Sequence, residues 1–233
     1  MTVRVEVIQA TPDPERLVWI CAHQDYAATF AMDDPVPKDP GAAIVKNLLQ
    51  RGHYGPFEHP QISFNIGGIS RACLAQLTRH RIGVTFDVQS HRYTKVDQAE
   101  PTPEYFVFPP YLAEGARAHA RGMGRVELDD PARAEAIMQE AYAHSLKAYN
   151  LLLAAGMPPE DARLVLPEGV RINLTMSVNA RALMHILDMR LPPNAQWEIR
   201  MLCERLLELA EDWMPATFRW YRENRAYKHK LAP

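Results

Sequence analysis

Arg79-His80-Arg81 and Ser90-His91-Arg92-Tyr93 stand eight residues apart, so three arginines and two histidines fall within fifteen positions. Arginine presents a permanently charged planar fork that matches phosphates and carboxylates. Two such clusters, separated by a mostly uncharged and partly apolar spacer, suit a site that grips an anionic ligand at two points. A solvated basic loop is the plain alternative. Upstream, His53-Tyr54-Gly55-Pro56-Phe57-Glu58-His59-Pro60 concentrates two histidines and a glutamate in a stretch punctuated by Gly-Pro and His-Pro. No third ligand accompanies them, so no metal site is expected. Cys21, Cys73 and Cys203 share no close spacing and lie in apolar helical contexts. They read as buried structural thiols in a reducing compartment.

These residues need a scaffold. The chain of 233 residues is long enough for a substantial core, and 47% apolar with 23% charged residues is ordinary for a globular protein. The formal net charge of −2 makes the arginines a local concentration, which argues against a general nucleic-acid binder. No apolar run is long enough to span a membrane and no signal-peptide pattern opens the chain, so a cytoplasmic protein is expected.

Alternation predicts strands at Val3–Val7, at Ile62, Phe64 and Ile66 up to Gly67-Gly68, and at Val170–Met176. Helical spacing predicts Asp13–Phe30, Gly41–Arg51, and Arg71 to about Arg79, the last capped by Ser70 with Cys73 and Leu77 inward. It also predicts Pro131–Leu153, Asp161–Leu166, Asn179–Asp188 and Ala195–Trp213, the last with Ile199, Leu202, Leu206, Leu209 and Trp213 on one stripe. Asp33–Pro40, with Pro35, Pro37 and Pro40, reads as a loop, as does Tyr93–Phe108. The Arg/His signature is expected to start at a helix C-terminus and to run on as an extended loop. No linker divides the chain, so residues 1–233 are expected to form a single domain.

R-H-R, eight residues, then S-x-R-Y resembles the signature of the flavin-dependent thymidylate synthases. His53 to His59 resembles the family's H-x-x-P-F-E-H stretch. Arg163-Leu164-Val165-Leu166-Pro167 resembles its R-x-V-L-P element. Asn179-Ala180-Arg181-Ala182-Leu183, followed by Arg190, resembles its N-A-R-x-L helix, and Ala195-Gln196-Trp197-Glu198-Ile199 resembles the A-Q-x-E-I start of its last long helix. The blocks keep the family's order. Two departures stand out. The spacer offers Asp87, Val88 or Gln89 where a shorter form has a Glu, and His185 stands where an Asn is common.

The resemblance implies an α/β (α+β) fold with a central antiparallel sheet flanked by helices, and a homotetramer with active sites at subunit interfaces. It implies reductive methylation of dUMP to dTMP, with methylenetetrahydrofolate as carbon donor and NADPH-reduced FAD as hydride source. It assigns Gly55, Glu58, Arg79, His80, Arg81, Gln89, Asn179, Arg181 and His185 to the flavin, with His53 near the reacting ring. It assigns Gln76, Arg79, Ser90, His91, Arg92, Arg163 and Arg190 to dUMP. Arg190, set against the uracil, would stabilise developing negative charge. Ser90 is a candidate catalytic hydroxyl, read as positioning rather than nucleophilic because no base accompanies it. The second class of thymidylate synthase uses a cysteine in a Pro-Cys-Gln context, which no cysteine here has. Two other readings stay open: a non-catalytic nucleotide- or phosphate-binding module, and an RNA-binding fold that stacks on Arg and Tyr.

Overall fold

Alternation along two strands places Ile62, Phe64 and Ile66, and likewise Ile172, Leu174, Met176 and Val178, at 3% exposure or less. The computed structural model describes residues 3–96, 104–112, 117–120 and 124–228. In chain order these form β1 (Arg4–Ala10), α1 (Pro14–Gln24), α2 (Pro40–Asn47), β2 (Gln61–Ser70), α3 (Arg71–Leu77) and β3 (Val84–Val88). Then come β4 (Arg117–Ala120), β5 (Gly124–Glu127), α4 (Pro131–Ala154), α5 (Pro159–Ala162), β6 (Arg171–Asn179), α6 (Ala180–Arg190), α7 (Trp197–Trp213) and α8 (Pro215–Asn224). Four strands form one sheet in the order β1-β2-β6-β3. Residue pairing runs in opposite directions at each step: Thr11 bonds Gln61 while Arg4 lies against Gly67, Ser63 bonds Ser177, Gly68 bonds Asn173, and Gly83 and Gln89 bond Asn179 and Asn173. The fold is therefore α+β with an antiparallel sheet, as expected. Strands β4 and β5 form a separate antiparallel hairpin.

Several boundaries differ from expectation. The spacer between the two Arg/His clusters is a strand, β3, and not a loop; Val84-Thr85-Phe86 is a β-branched and aromatic run that suits a pleated surface. Strand β2 continues past Gly67-Gly68 to Ser70, because Gly68 takes φ 76° and donates its amide to Asn173 Oδ1 at 3.0 Å. Such a kink keeps the strand going. Helix α1 stops at Gln24 rather than Phe30: Tyr26 and Phe30 are 76% and 65% exposed, so nothing buried supports further turns. Helix α2 stops at Asn47, and Leu49–Arg51 tightens into a 3₁₀ turn that buries Leu48 and Leu49 together. Val7 is exposed, so β1 alternates less cleanly than expected. Helix α7 starts at Trp197, where Gln196 Oε1 accepts the Glu198 and Ile199 amides. Cys203, Leu207 and Ala210 complete its buried face, whereas Leu209 and Trp213 are half-buried. Helix α8 and the β4–β5 hairpin fall outside the expected elements. Residues 97–103 of the expected Tyr93–Phe108 loop lie outside the described residues. Cys73 and Cys203 are buried, but Cys21 is partly exposed, contrary to the reading of all three thiols as buried.

The chain divides into two compact units. The first comprises residues 1–4, 66–79 and 87–174. Its core gathers Phe106, Tyr142, Leu146, Tyr149 and Val170. Phe106 stacks on Tyr142 with ring centres 4.6 Å apart, and the Tyr142 hydroxyl donates to Val107 O at 3.0 Å. Ser70 caps α3 as expected, its Oγ accepting the Cys73 amide at 3.0 Å. The second unit comprises 5–65, 80–86 and 175–233. Its helices α6, α7 and α8 bury Leu183, Ile186, Leu187, Ile199, Leu202, Leu206, Phe218 and Tyr221. Among the described residues no helix is long and apolar enough to cross a membrane.

Candidate active site

In the second unit, the segment from His53 to Glu58, the residues after Arg79 and helix α6 are drawn together. Glu58, in a 3₁₀ turn opened by Gly55, forms an ion pair with Arg181 on the first turn of α6. Asn179 caps α6, its Oδ1 accepting the Ala182 amide at 2.8 Å while its own amide donates to Gly83 O at 3.0 Å. Gly83 has φ 70°, and a Cβ there would lie 2.4 Å from Asn179 Nδ2, so only glycine fits where the motif's spacer crosses the helix start. One turn from the other end of α6, His185 lies exposed, its ring centre 5.4 Å from that of His80 in an edge-on arrangement.

The decisive contact is between His80 and Arg190. Arg190 Nε donates to His80 Nε2 at 3.0 Å, and His80 is 9% exposed. Arginine Nε can only donate, so Nε2 must carry a lone pair: His80 is neutral, with its proton on Nδ1. Holding Nε fixes the plane of the guanidinium. Arg81 is exposed and has no acidic partner among the described residues. His53 lies half-exposed, 3.4 Å from Asp25 Oδ2, with its ring centre 6.5 Å from that of Tyr26.

The first unit holds a second cluster, rich in cations. Arg163 follows α5 and donates from Nε to Glu160 O at 3.0 Å; Arg92 lies 3.5 Å from the Glu160 carboxylate and over the Tyr93 ring. Burial, and then the positive charge of Arg163, lower the Arg71 pKa from its usual value. Burial lowers that of His91 too, aided by Arg71 and Arg163 and opposed by the bond to Thr94. His91 is 3% exposed; its Nδ1 meets Thr94 O at 3.3 Å, and its buried Nε2 has no hydrogen-bond partner among the described residues. An anion bound here would relieve the repulsion that Arg163 exerts on Arg71.

Arg71 was absent from the residues singled out by sequence. A signal existed: it is the first residue of α3, where a cation opposes the helix dipole. Other candidates are occupied locally. The Gln89 carboxamide accepts the Asn173 amide and donates to Thr94, and Gln76 Nε2 donates to Ala72 O. Ser90 Oγ accepts the Arg92 amide at 3.3 Å, and among the described residues no imidazole or carboxylate bonds it. Arg79 is exposed. Asp87 is exposed and Val88 half-buried on β3. Burial pushes the Cys203 thiol far above its usual range, and Cys21 is raised for the same first reason, so neither is a ready thiolate.

Residues 6–216 match the family model described as thymidylate synthase complementing protein. The flavin-dependent thymidylate synthase of Haloarcula marismortui is 42% identical over 249 residues, covering 98% of this chain and 99% of that one. That of Halobacterium salinarum is 41% identical over 251 residues, covering 99% and 100%. The chain belongs to the flavin-dependent thymidylate synthase family. Among solved structures, a UMP/dUMP methylase, PolB of Streptomyces cacaoi, bound with 5-Br dUMP, matches with a TM-score of 0.81 at 26% identity, covering 99% of this chain and 97% of that one. Family membership makes this chain an enzyme rather than a passive anion-binding module. A flavin fits the second unit by the chemistry of its donors: Arg81, without an acidic partner among the described residues, suits a pyrophosphate, and Glu58, Arg181, Asn179 and His80 offer both donors and acceptors to a ring edge.

Proposed function

We propose that the protein catalyses reductive methylation of dUMP to dTMP, with methylenetetrahydrofolate as carbon donor, FAD as cofactor and NADPH as reductant. The observation that carries this reading is the guanidinium of Arg190, oriented by neutral His80 within the family's flavin-binding residues. In the second unit, Gly55, Glu58, His80, Arg81, Asn179, Arg181 and His185 bind FAD, with His53 beside the reacting ring. The family's motif assigns Arg79 and Gln89 to the flavin as well. In the first unit, Arg71, Arg92 and Arg163 grip the dUMP phosphate, whose two charges offset their repulsion. Gln76, Arg79, Ser90 and His91 orient sugar and base. Bound FAD supplies the hydride. Arg190 stabilises the negative charge that develops on uracil as C5 becomes nucleophilic. Ser90, held in a turn by the Arg92 amide, positions the substrate and forms no bond with it. Residues 1–233 would act as one synthase domain, working as a homotetramer with active sites at subunit interfaces.

The direct test is the visible spectrum of the purified protein, with NADPH added anaerobically in the presence and absence of dUMP. A flavin band bleached by NADPH at a rate that depends on dUMP is the expected outcome. A protein that takes up no FAD and oxidises no NADPH would end the reading.

Arg71 provides a sharper check on the phosphate site. Arg71→Ala should weaken dUMP binding by about 10- to 100-fold, the range for one charge-assisted hydrogen bond. It should leave the melting temperature of the nucleotide-free protein unchanged or raised, because it relieves repulsion with Arg163. A lowered melting temperature with unchanged dUMP affinity would make Arg71 structural instead.

A further inference from the structure

Helices α1 and α2 enclose a cleft of about 310 Å³ that none of the catalytic assignments above uses. Trp19, His23, Tyr26, Asn47 and Arg51 line it, over a floor that includes Ala22, Ala43 and Ile44. The two alanines leave the space: a larger side chain at either would close the slot between the helices. Trp19 and His23 stack with centres 4.6 Å apart and planes 15° off parallel, and His23 Nε2 meets Asp34 Oδ2 at 2.8 Å, which holds the pair in place. Tyr26 is 76% exposed. A large aromatic side chain left in solvent beside a preformed stack is a surface awaiting another ring. Arg51 and Asn47 are exposed, and among the described residues no carboxylate pairs with Arg51.

We propose that this cleft binds the p-aminobenzoylglutamate arm of the folate co-substrate, an inference that rests on the synthase reading above. The ring would stack on the Trp19–His23 pair and Tyr26, the amide would meet Asn47, and a carboxylate would meet Arg51. One guanidinium and one amide suit a carboxylate on an amide-linked arm. Asp25 and Asp34 are each held by a histidine, His53 and His23, at the Tyr26 and His23 sides of the cleft, which leaves the Arg51 end as the cationic end for a carboxylate. Tyr26 also connects the cleft to His53, through the 6.5 Å ring contact and the Asp25 pairing. The arm would thus be anchored beside a residue assigned to the reacting flavin ring.

Calorimetric titration of the FAD-loaded protein with p-aminobenzoyl-L-glutamate tests the site without turnover. The fragment should bind, and Trp19→Ala and Arg51→Gln should each weaken it by about tenfold, the scale of one aromatic or charged contact. Both should raise KM for methylenetetrahydrofolate by about tenfold and leave kcat and the KM for dUMP unchanged. Arg51 is exposed, so Arg51→Gln keeps the test valid if Trp19→Ala folds poorly. Absent fragment binding, or equal binding by wild type and Arg51→Gln, overturns the proposal even if the wild type methylates dUMP. A rise in KM for NADPH alone overturns it as well, assigning the cleft to the dinucleotide. Failure of the synthase reading is separate: it would appear as no dTMP formed by the wild type under any of these conditions.

Discussion

Arg190→Ala is expected to lower kcat by about 10²- to 10³-fold, the usual cost of removing one donor that stabilises charge in a transition state. FAD should remain bound, since Arg190 is not among the residues assigned to the flavin. Arg190→Lys should recover little, because an ammonium cannot reproduce a planar fork held at Nε. The partner makes the test specific. His80 accepts from Arg190 Nε through a neutral ring nitrogen, so His80→Gln, which keeps an acceptor, should retain much more turnover than His80→Ala. His80→Lys, which places a second cation against Arg190, should be the worst of the three. Steady-state kinetics alongside the visible flavin spectrum separate loss of chemistry from loss of cofactor. If Arg190→Ala keeps more than about a tenth of wild-type kcat, Arg190 is not the group that stabilises the uracil charge.

Asp188→Ala should produce the largest loss of stability. Asp188 and Arg225 form an ion pair in which the carboxylate is 1% and the guanidinium 10% exposed. Tyr221 donates its hydroxyl to Asp188 Oδ1 at 2.9 Å. Arg225 Nη1 donates to the Tyr54 hydroxyl at 2.7 Å, and the guanidinium lies 5.3 Å from that ring's centre. Burial, then the adjacent carboxylate, holds the Tyr221 phenol well above its usual pKa, so it stays a donor. Removing Asp188 leaves a desolvated cation without a counter-charge, at a cost of about 3–5 kcal/mol. For a chain of this size that corresponds to a fall in melting temperature of roughly 10 °C by differential scanning calorimetry. Replacing both partners with apolar residues, Asp188→Leu with Arg225→Leu, should recover most of the loss, since no buried charge remains. A single substitution that shifts the midpoint by less than about 2 °C would show the pair to be solvated. Because Asp188 sits two residues before Arg190 on α6, the same lock steadies the helix that carries the guanidinium proposed to act on the uracil.

Much of this molecule was legible in its residues. The alternation at Ile62–Ile66 and Val170–Met176 marks strands because side-chain direction reverses at every residue, whatever the strand pairs with. Ser70 and Asn179 mark helix starts because capping is local chemistry, completed within three residues. The spaced motifs, read in order, led to the family that the comparisons bear out. Less legible were features whose cause lies elsewhere in the chain. Strand β3 looked like a loop because its ladder depends on Asn173 and Asn179, some ninety residues away. Helix α1 looked longer than it is because the exposure of Tyr26 and Phe30 cannot be seen from spacing alone.

The sequence by itself therefore determined the inventory: which groups are present, which short segments cap, turn or alternate, and which family the ordered motifs resemble. Only the tertiary structure decided the state and company of those groups. That His80 is neutral follows from an arginine 110 positions later meeting its Nε2. That the Arg163 charge lowers the Arg71 pKa, and that Trp19, Tyr26 and Arg51 line one cleft, follow from tertiary packing. The physical reason is one of range. Capping and alternation are settled over a few residues, whereas protonation, charge pairing and cavities depend on distances in space that the chain's order does not specify.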